Sequence, residues 1–100
     1  MNKAQVEAIM DQVFSECHAL REAGQAEYAH DDQSALANFN RLASILEIPR
    51  EYVLLVYLLK HIDGIAAHAK GHRSQRESVK GRINDCITYL VRLRCMVEEE

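Results

Sequence analysis

Apolar residues recur at steps of three and four positions along nearly the whole chain, which is the spacing of one face of an α-helix. The pattern predicts four helices, which span approximately residues 3–28, 34–46, 50–69 and 74–97. No segment alternates with the period of two that is typical of a strand, and Pro49 and two polar segments separate the helices. We therefore predict a single all-α domain over residues 1–100, a compact antiparallel bundle of about four helices.

The starts of the second and fourth helices are predicted from capping residues. Asp32 or Ser34 can cap the second helix, because a short side-chain oxygen accepts a free backbone N–H of the first turn. Ser74 can cap the fourth, with Glu77 three residues later as in a capping box. On that helix Glu77 and Asp85 would lie about 12 Å apart and point about 80° apart. This geometry argues against a metal ion shared by the two acids.

The third helix is apolar on every side in the run that begins at Tyr52. We expect its main stripe to face the core, and that stripe contains Leu55, Leu58, Leu59, Ile62, Ile65 and Ala66. A second face contains Val53, Tyr57, Lys60, His61, Gly64 and His68. A helix that is apolar all round is covered on both sides, and a 100-residue chain has a marginal core. We therefore predict a homo-oligomer that forms through the second face.

Composition narrows the class of protein. Hydrophobic residues make up 48% of the chain, which is too many for a disordered segment. No apolar run reaches the ~18 residues that would cross a membrane. The N-terminus has no apolar export signal and the three cysteines form no Cys-x-x-Cys pair, so reduced thiols and a cytoplasmic location are expected.

Charge is unevenly distributed. The net charge is −3, yet residues 70–82 contain five bases and one acid. An acidic chain with one short basic segment does not indicate a duplex-DNA binder, but such a segment can hold a small, highly charged anion. Arg73 and Arg76 lie just before or within the predicted start of the fourth helix, where free N–H groups favour an anion. The alternative is that this segment is a solvated basic connector.

Two further positions have both structural and functional interpretations. Arg82, Asp85 and Tyr89 share one flank of the fourth helix, where Arg82 could pair with Asp85 or bind phosphate. Gly64 costs its helix about 1 kcal/mol relative to alanine. That cost indicates close approach to residue 64 by another backbone or by a ligand.

Several short motifs resemble a group of small phage and prophage proteins. These proteins are distantly similar to all-α, MazG-like nucleotide pyrophosphohydrolases and to phage domains associated with nucleotide modification. The resemblance covers about residues 20–97 and depends on GQAEYA at 24–29, ANF at 37–39, YLLKHID at 57–63, QRES at 75–78, GRIND at 81–85 and YL at 89–90. It implies a helical, often oligomeric fold and a link to nucleotides, with functional residues at Glu27, Lys60, His61, Glu77, Arg82 and Asp85.

Three functions follow as hypotheses. The first is binding of a phosphorylated nucleotide without catalysis, with phosphates held by Lys60, His61, Arg73, Arg76 and Arg82 and the base packed on Tyr28 or Tyr57. The second is a Mg²⁺-dependent pyrophosphohydrolase with Glu27, Glu77 and Asp85 as ligands, although the chain has no Glu-x-x-Glu or Glu-x-x-Asp spacing. The third is a helical protein-interaction module.

Overall fold

The computed structural model describes residues 1–24, 35–73 and 76–100. They form four α-helices and, within these ranges, no strand. The helices are α1 (Lys3–Gly24), α2 (Ala37–Leu46), α3 (Arg50–Ala69) and α4 (Val79–Glu98). The prediction of an all-α fold with four helices is confirmed.

The centre of the bundle is the pair of helices α3 and α4. α4 also packs against α1, while α2 packs against α3. The largest group of buried side chains comes from α2, α3 and the C-terminal half of α4 and consists of Leu36, Phe39, Val53, Leu54 and Met96. α3 and α4 are therefore held side by side along most of their length, and residues that face each other across this pair can form a site.

The bounds of α3 agree with the sequence-based prediction, whereas α4 begins later than predicted. Pro49 directly precedes α3, and Glu47 ends α2 in the left-handed conformation with φ 56°. The N-cap of α4 is Ser78, whose side-chain oxygen accepts the N–H of Gly81 at 3.0 Å. The predicted capping box from Ser74 to Glu77 is therefore wrong, and Glu77 lies before the helix. Residues 25–34, 74 and 75, which include the other predicted caps, lie outside the described residues.

The face of α3 that packs inside the chain is the opposite of the one predicted. Its buried residues are Val53, Leu54, Leu58, His61 and Gly64. Of the predicted core stripe only Leu58 is buried, whereas Leu55, Leu59, Ile62 and Ala66 are exposed. The prediction that the second face forms a subunit contact is wrong, because packing within the chain already buries most of it. Oligomerisation itself remains a prediction.

The remaining expectations concern the thiols and the membrane. Cys17 is buried, Cys86 is half-buried and Cys95 is exposed, and all three are free. Among the described helices, none has both the length and the apolar character needed to cross a bilayer. The cytoplasmic location remains a prediction.

Candidate functional site

His61 lies near the middle of α3, with its side chain turned toward α4. Its ring stacks on Tyr89, with ring centres 5.8 Å apart and planes inclined by 29°. Tyr89 also stacks on Tyr57 at 6.1 Å, and the edge of Phe39 from α2 packs against both tyrosines. Because these rings are packed into the core, they fix the position and tilt of the His61 imidazole.

Two carboxylates approach the Nδ1 atom of His61. Oε2 of Glu77 lies 3.6 Å from Nδ1, and Oδ2 of Asp85 lies 3.5 Å from it. The ligand atoms of the three residues all lie within 4.8 Å of one another. The expectation that Glu77 and Asp85 diverge is wrong, because it placed Glu77 on a continuous helix. Since α4 begins only at Val79, Glu77 is not constrained by helical geometry and reaches the same point as Asp85.

The Nδ1 atom of His61 is buried, and within the described part of the chain it has no hydrogen-bond partner. Its distances to the two carboxylates exceed the roughly 2.7–3.2 Å of an N–H···O hydrogen bond. Buried polar atoms are normally bonded, so an unsatisfied nitrogen between two carboxylate oxygens needs an explanation. Ligand atoms about 2.1 Å from one cation are separated by roughly 3.0–3.4 Å in octahedral or tetrahedral geometry. The spacing around Nδ1 is close to that range, so a cation would complete this arrangement.

Arg82 forms the cationic side of the cluster. Its Nη1 lies 3.7 Å from Oε2 of Glu77, and its side chain is largely buried. The side chain lies across α3 at Gly64, where an added β-carbon would overlap the Nε, Cδ and Cζ atoms of Arg82. A close approach at Gly64 is therefore confirmed, but the approaching group is an arginine side chain and not the backbone or ligand that was predicted. With His61 neutral, the four side chains of His61, Glu77, Arg82 and Asp85 carry a net charge of −1.

The carboxyl group of Asp85 is held in an unfavourable environment for its charge. Burial raises its pKa above the ordinary 3.8, and the neighbouring Glu77 raises the pKa further. His61, Arg92 and Arg82 act in the opposite direction but do not cancel the effect of burial. An ionised Asp85 is therefore under-stabilised in the folded protein, and a bound cation would relieve this.

The structure brings together only some of the predicted site residues. His61, Glu77, Arg82 and Asp85 converge, and Tyr57 lies in the aromatic cluster one turn before His61. Lys60, Arg73 and Arg76 are exposed, and Arg73 contacts the Nε2 atom of His68 near the end of α3. Glu27 and Tyr28 lie outside the described residues.

Tyr89 is a site residue whose role the sequence indicated only in part. Its position on the flank with Arg82 and Asp85 shows that the three share a face of α4, but not that α3 covers that face. The contact of Tyr89 with His61 depends on which side of α3 packs inward. The sequence therefore indicated the position of Tyr89 beside Arg82 and Asp85 but not its contact with His61.

Comparison with known proteins adds nothing to this geometry, since no family model, curated protein or solved structure matches the chain.

Proposed function

We propose that this chain binds a divalent cation through His61, Glu77 and Asp85 and, through that cation and Arg82, the phosphates of a nucleotide. The observation that carries the proposal is the buried, unbonded Nδ1 of His61 between two carboxylate oxygens. Neutral histidine offers a lone pair at this atom, and both acids offer negatively charged oxygens. These are the donor types that proteins use to bind divalent metals.

The donor set favours a first-row transition metal over Mg²⁺. Mg²⁺ and Ca²⁺ bind oxygen ligands, whereas imidazole nitrogen is typical of sites for metals such as Zn²⁺ and Fe²⁺. Mn²⁺ binds carboxylates readily, and its ligand preference lies between those of the oxygen-binding and the imidazole-binding metals, so it is a suitable probe. Three protein ligands also leave coordination positions open for water or for phosphate oxygens.

Arg82 provides the second contact for a phosphorylated ligand. A bound divalent cation would change the total charge of the site from −1 to +1, and a positively charged site attracts an anion. The planar guanidinium of Arg82 can donate two parallel hydrogen bonds to one phosphate. That the anion is a nucleotide is inferred from the resemblance described above. Lys60, Arg73 and Arg76 as further phosphate contacts, and Tyr28 or Tyr57 as a contact for the base, remain predictions.

The second candidate function is hydrolysis of a nucleoside triphosphate to the monophosphate and pyrophosphate. The observation that favours it is the presence of two carboxylates at one cation position, one of them partly exposed. A cation with open positions can orient an attacking water and stabilise charge on the phosphates. The oxygen of Glu77 that does not bind the cation would then be available to accept a proton from that water.

Titration calorimetry tests the binding proposal. The wild-type chain is titrated with MnCl₂, and the metal-loaded protein is then titrated with individual nucleoside triphosphates. We expect saturable Mn²⁺ binding, weakened about tenfold or more by Asp85→Asn, and nucleotide binding that requires the metal. The matched control is Asp63→Asn, which neutralises an exposed acid of α3 outside the cluster.

Each part of the proposal has its own contradicting outcome. Equal Mn²⁺ affinity in Asp85→Asn and Asp63→Asn would refute the cation site. Mn²⁺ binding without any nucleotide binding would refute the nucleotide part alone. Release of pyrophosphate from the bound nucleotide, lost in Glu77→Gln, would establish the second candidate, whereas binding without release would exclude it.

A further inference from the structure

One side of α3 is exposed and mostly apolar, with the acidic Asp63 lying between Tyr52 and Val56 around the helix. Val56 is 66% exposed, Tyr52 58% and Leu59 54%, and Leu55 and Ile62 are also exposed. These residues recur at steps of three and four, so they form one stripe along the helix. Ala66 extends the stripe, which is about 21 Å long from residue 52 to residue 66 at 1.5 Å per residue.

The chain as a whole exposes more surface than a compact monomer of its size. Its accessible surface is 7461 Å². A compact monomeric protein of 11.4 kDa exposes roughly 5,800 Å². The radius of gyration, 15.2 Å, likewise exceeds the ~13 Å expected for 100 residues. This excess of roughly 1,700 Å² is larger than the ~800 Å² that each partner buries in a typical stable interface. The stripe of α3 contributes to it together with exposed apolar residues of α1 and α4.

We propose that the apolar stripe of α3 binds a second copy of this chain, with the two α3 helices antiparallel about a twofold axis at Leu59. In that register, residues at equal distances before and after Leu59 face each other. Tyr52 of each copy then packs over the small side chain of Ala66 of the other copy, and Val56 packs against Ile62. A parallel pairing would place Tyr52 against Tyr52 and Ala66 against Ala66, which crowds one end and leaves space at the other.

The charges at the two ends of α3 favour the same orientation. Glu47, Arg50 and Glu51 at its N-terminal end carry a net charge of −1, with Arg50 paired to Glu51, whereas Lys70 and Arg73 follow its C-terminal end. An antiparallel pair places the acidic end of each helix opposite the basic end of the other. A parallel pair would bring like charges together. Asp63 faces Leu55 in this register, but the rest of the stripe complements itself in size and its two ends complement each other in charge, as a twofold interface requires.

Light scattering coupled to gel filtration tests whether the stripe forms a dimer. We expect the wild-type chain to have twice the 11.4 kDa mass of one copy. Leu59→Glu should shift it to the monomer, because two carboxylates would meet at the axis. The matched control is Val97→Glu, which adds the same charge at an exposed apolar position of α4 and should leave the dimer intact. Circular dichroism checks that both variants keep their helical content.

Disulfide trapping tests the orientation, using a Cys95→Ser background that removes the exposed native thiol. Leu59→Cys should form a covalent dimer with itself on mild oxidation. Tyr52→Cys should not, because antiparallel helices place the two copies of residue 52 at opposite ends of the stripe. A mixture of Tyr52→Cys and Ala66→Cys chains should cross-link.

Three results would overturn this dimer. They are a monomeric wild-type chain at 100 µM, a dimer that survives Leu59→Glu, or self-linking of Tyr52→Cys. If the chain is monomeric and binds a different protein through the stripe, the interaction-module hypothesis is supported instead. None of these outcomes affects the cation site, since that site lies on the buried side of α3.

Discussion

The side chain of Arg82 lies directly over Gly64 of α3, in the space that a β-carbon would fill. This relationship explains a glycine in the middle of a 20-residue helix, where it lowers helix stability. It also fixes Arg82 beside Glu77, to which it is paired. The glycine therefore serves the proposed site, since it allows the side chain of Arg82 to lie close against α3.

Replacing Gly64 by alanine should displace Arg82 while leaving the metal ligands in place. We expect Gly64→Ala to weaken nucleotide affinity about tenfold and to change Mn²⁺ affinity little, because the nucleotide loses a charged bidentate contact. Calorimetry with Mn²⁺ and then nucleotide measures both. In the double variant with Arg82→Ala, the glycine substitution should cost nothing further. A further loss in the double variant would show that Gly64 acts by another route.

Replacing Asp85 by asparagine should separate stability from cation binding. Because the pKa of Asp85 is raised in the folded protein, its ionised form destabilises the fold at pH values above that pKa. Asp85→Asn should therefore raise the Tm of the metal-free protein by a few degrees at neutral pH. Mn²⁺ at 100 times its Kd stabilises the wild type by about 2.7 kcal/mol, and a tenfold weaker affinity in the variant should reduce this gain to about 1.4 kcal/mol at the same concentration. A lower Tm without metal would contradict the inferred destabilisation.

Cation binding should weaken as the pH falls. A metal competes with protons for Nδ1 of His61 and for both carboxylates, so binding releases protons. Because the pKa of Asp85 is raised, protons compete for this group at a higher pH than they would for an ordinary aspartate. We expect Mn²⁺ affinity to decrease steadily from about pH 8 to about pH 5. Titrations in two buffers of different ionisation enthalpy measure the protons released, and a constant affinity over this range would exclude the proposed ligands.

Removing the cap of α4 should affect both the helix and the site. The side chain of Ser78 accepts the N–H of Gly81, and Glu77 is its immediate neighbour. Ser78→Ala should lower stability by about 1 kcal/mol, which corresponds to a Tm decrease of about 4–8 °C. It should also weaken Mn²⁺ binding, because Glu77 loses its fixed position. Ser44→Ala, at an exposed position inside α2, is the control; it should leave Mn²⁺ binding unchanged and should not lower stability, because alanine favours a helix interior.

The sequence predicts the helices well because their apolar spacing and a single proline mark them clearly. It does not predict the start of α4, since both Ser74 and Ser78 can cap a helix. That choice decides whether Glu77 lies on the helix or ahead of it, and so whether Glu77 can meet Asp85. The inward face of α3 is also undetermined by sequence, because the helix is apolar on all sides. The contacts of His61 with Tyr89 and of Arg82 with Gly64 form only when this particular face of α3 packs against α4, so the sequence does not predict them either.

Phe39 belongs to α2, which contributes no described residue to the cation site, yet its ring supports both tyrosines that position His61. The same side chain is part of the small core that joins α2, α3 and α4. In a domain of this size, the residues of the hydrophobic core are in direct contact with the residues of the proposed cation site. A substitution that changes the side-chain volume at Phe39 would therefore shift the two tyrosine rings and, through them, the imidazole of His61. Mutations in α2 would in this way alter the affinity for a ligand that they do not contact.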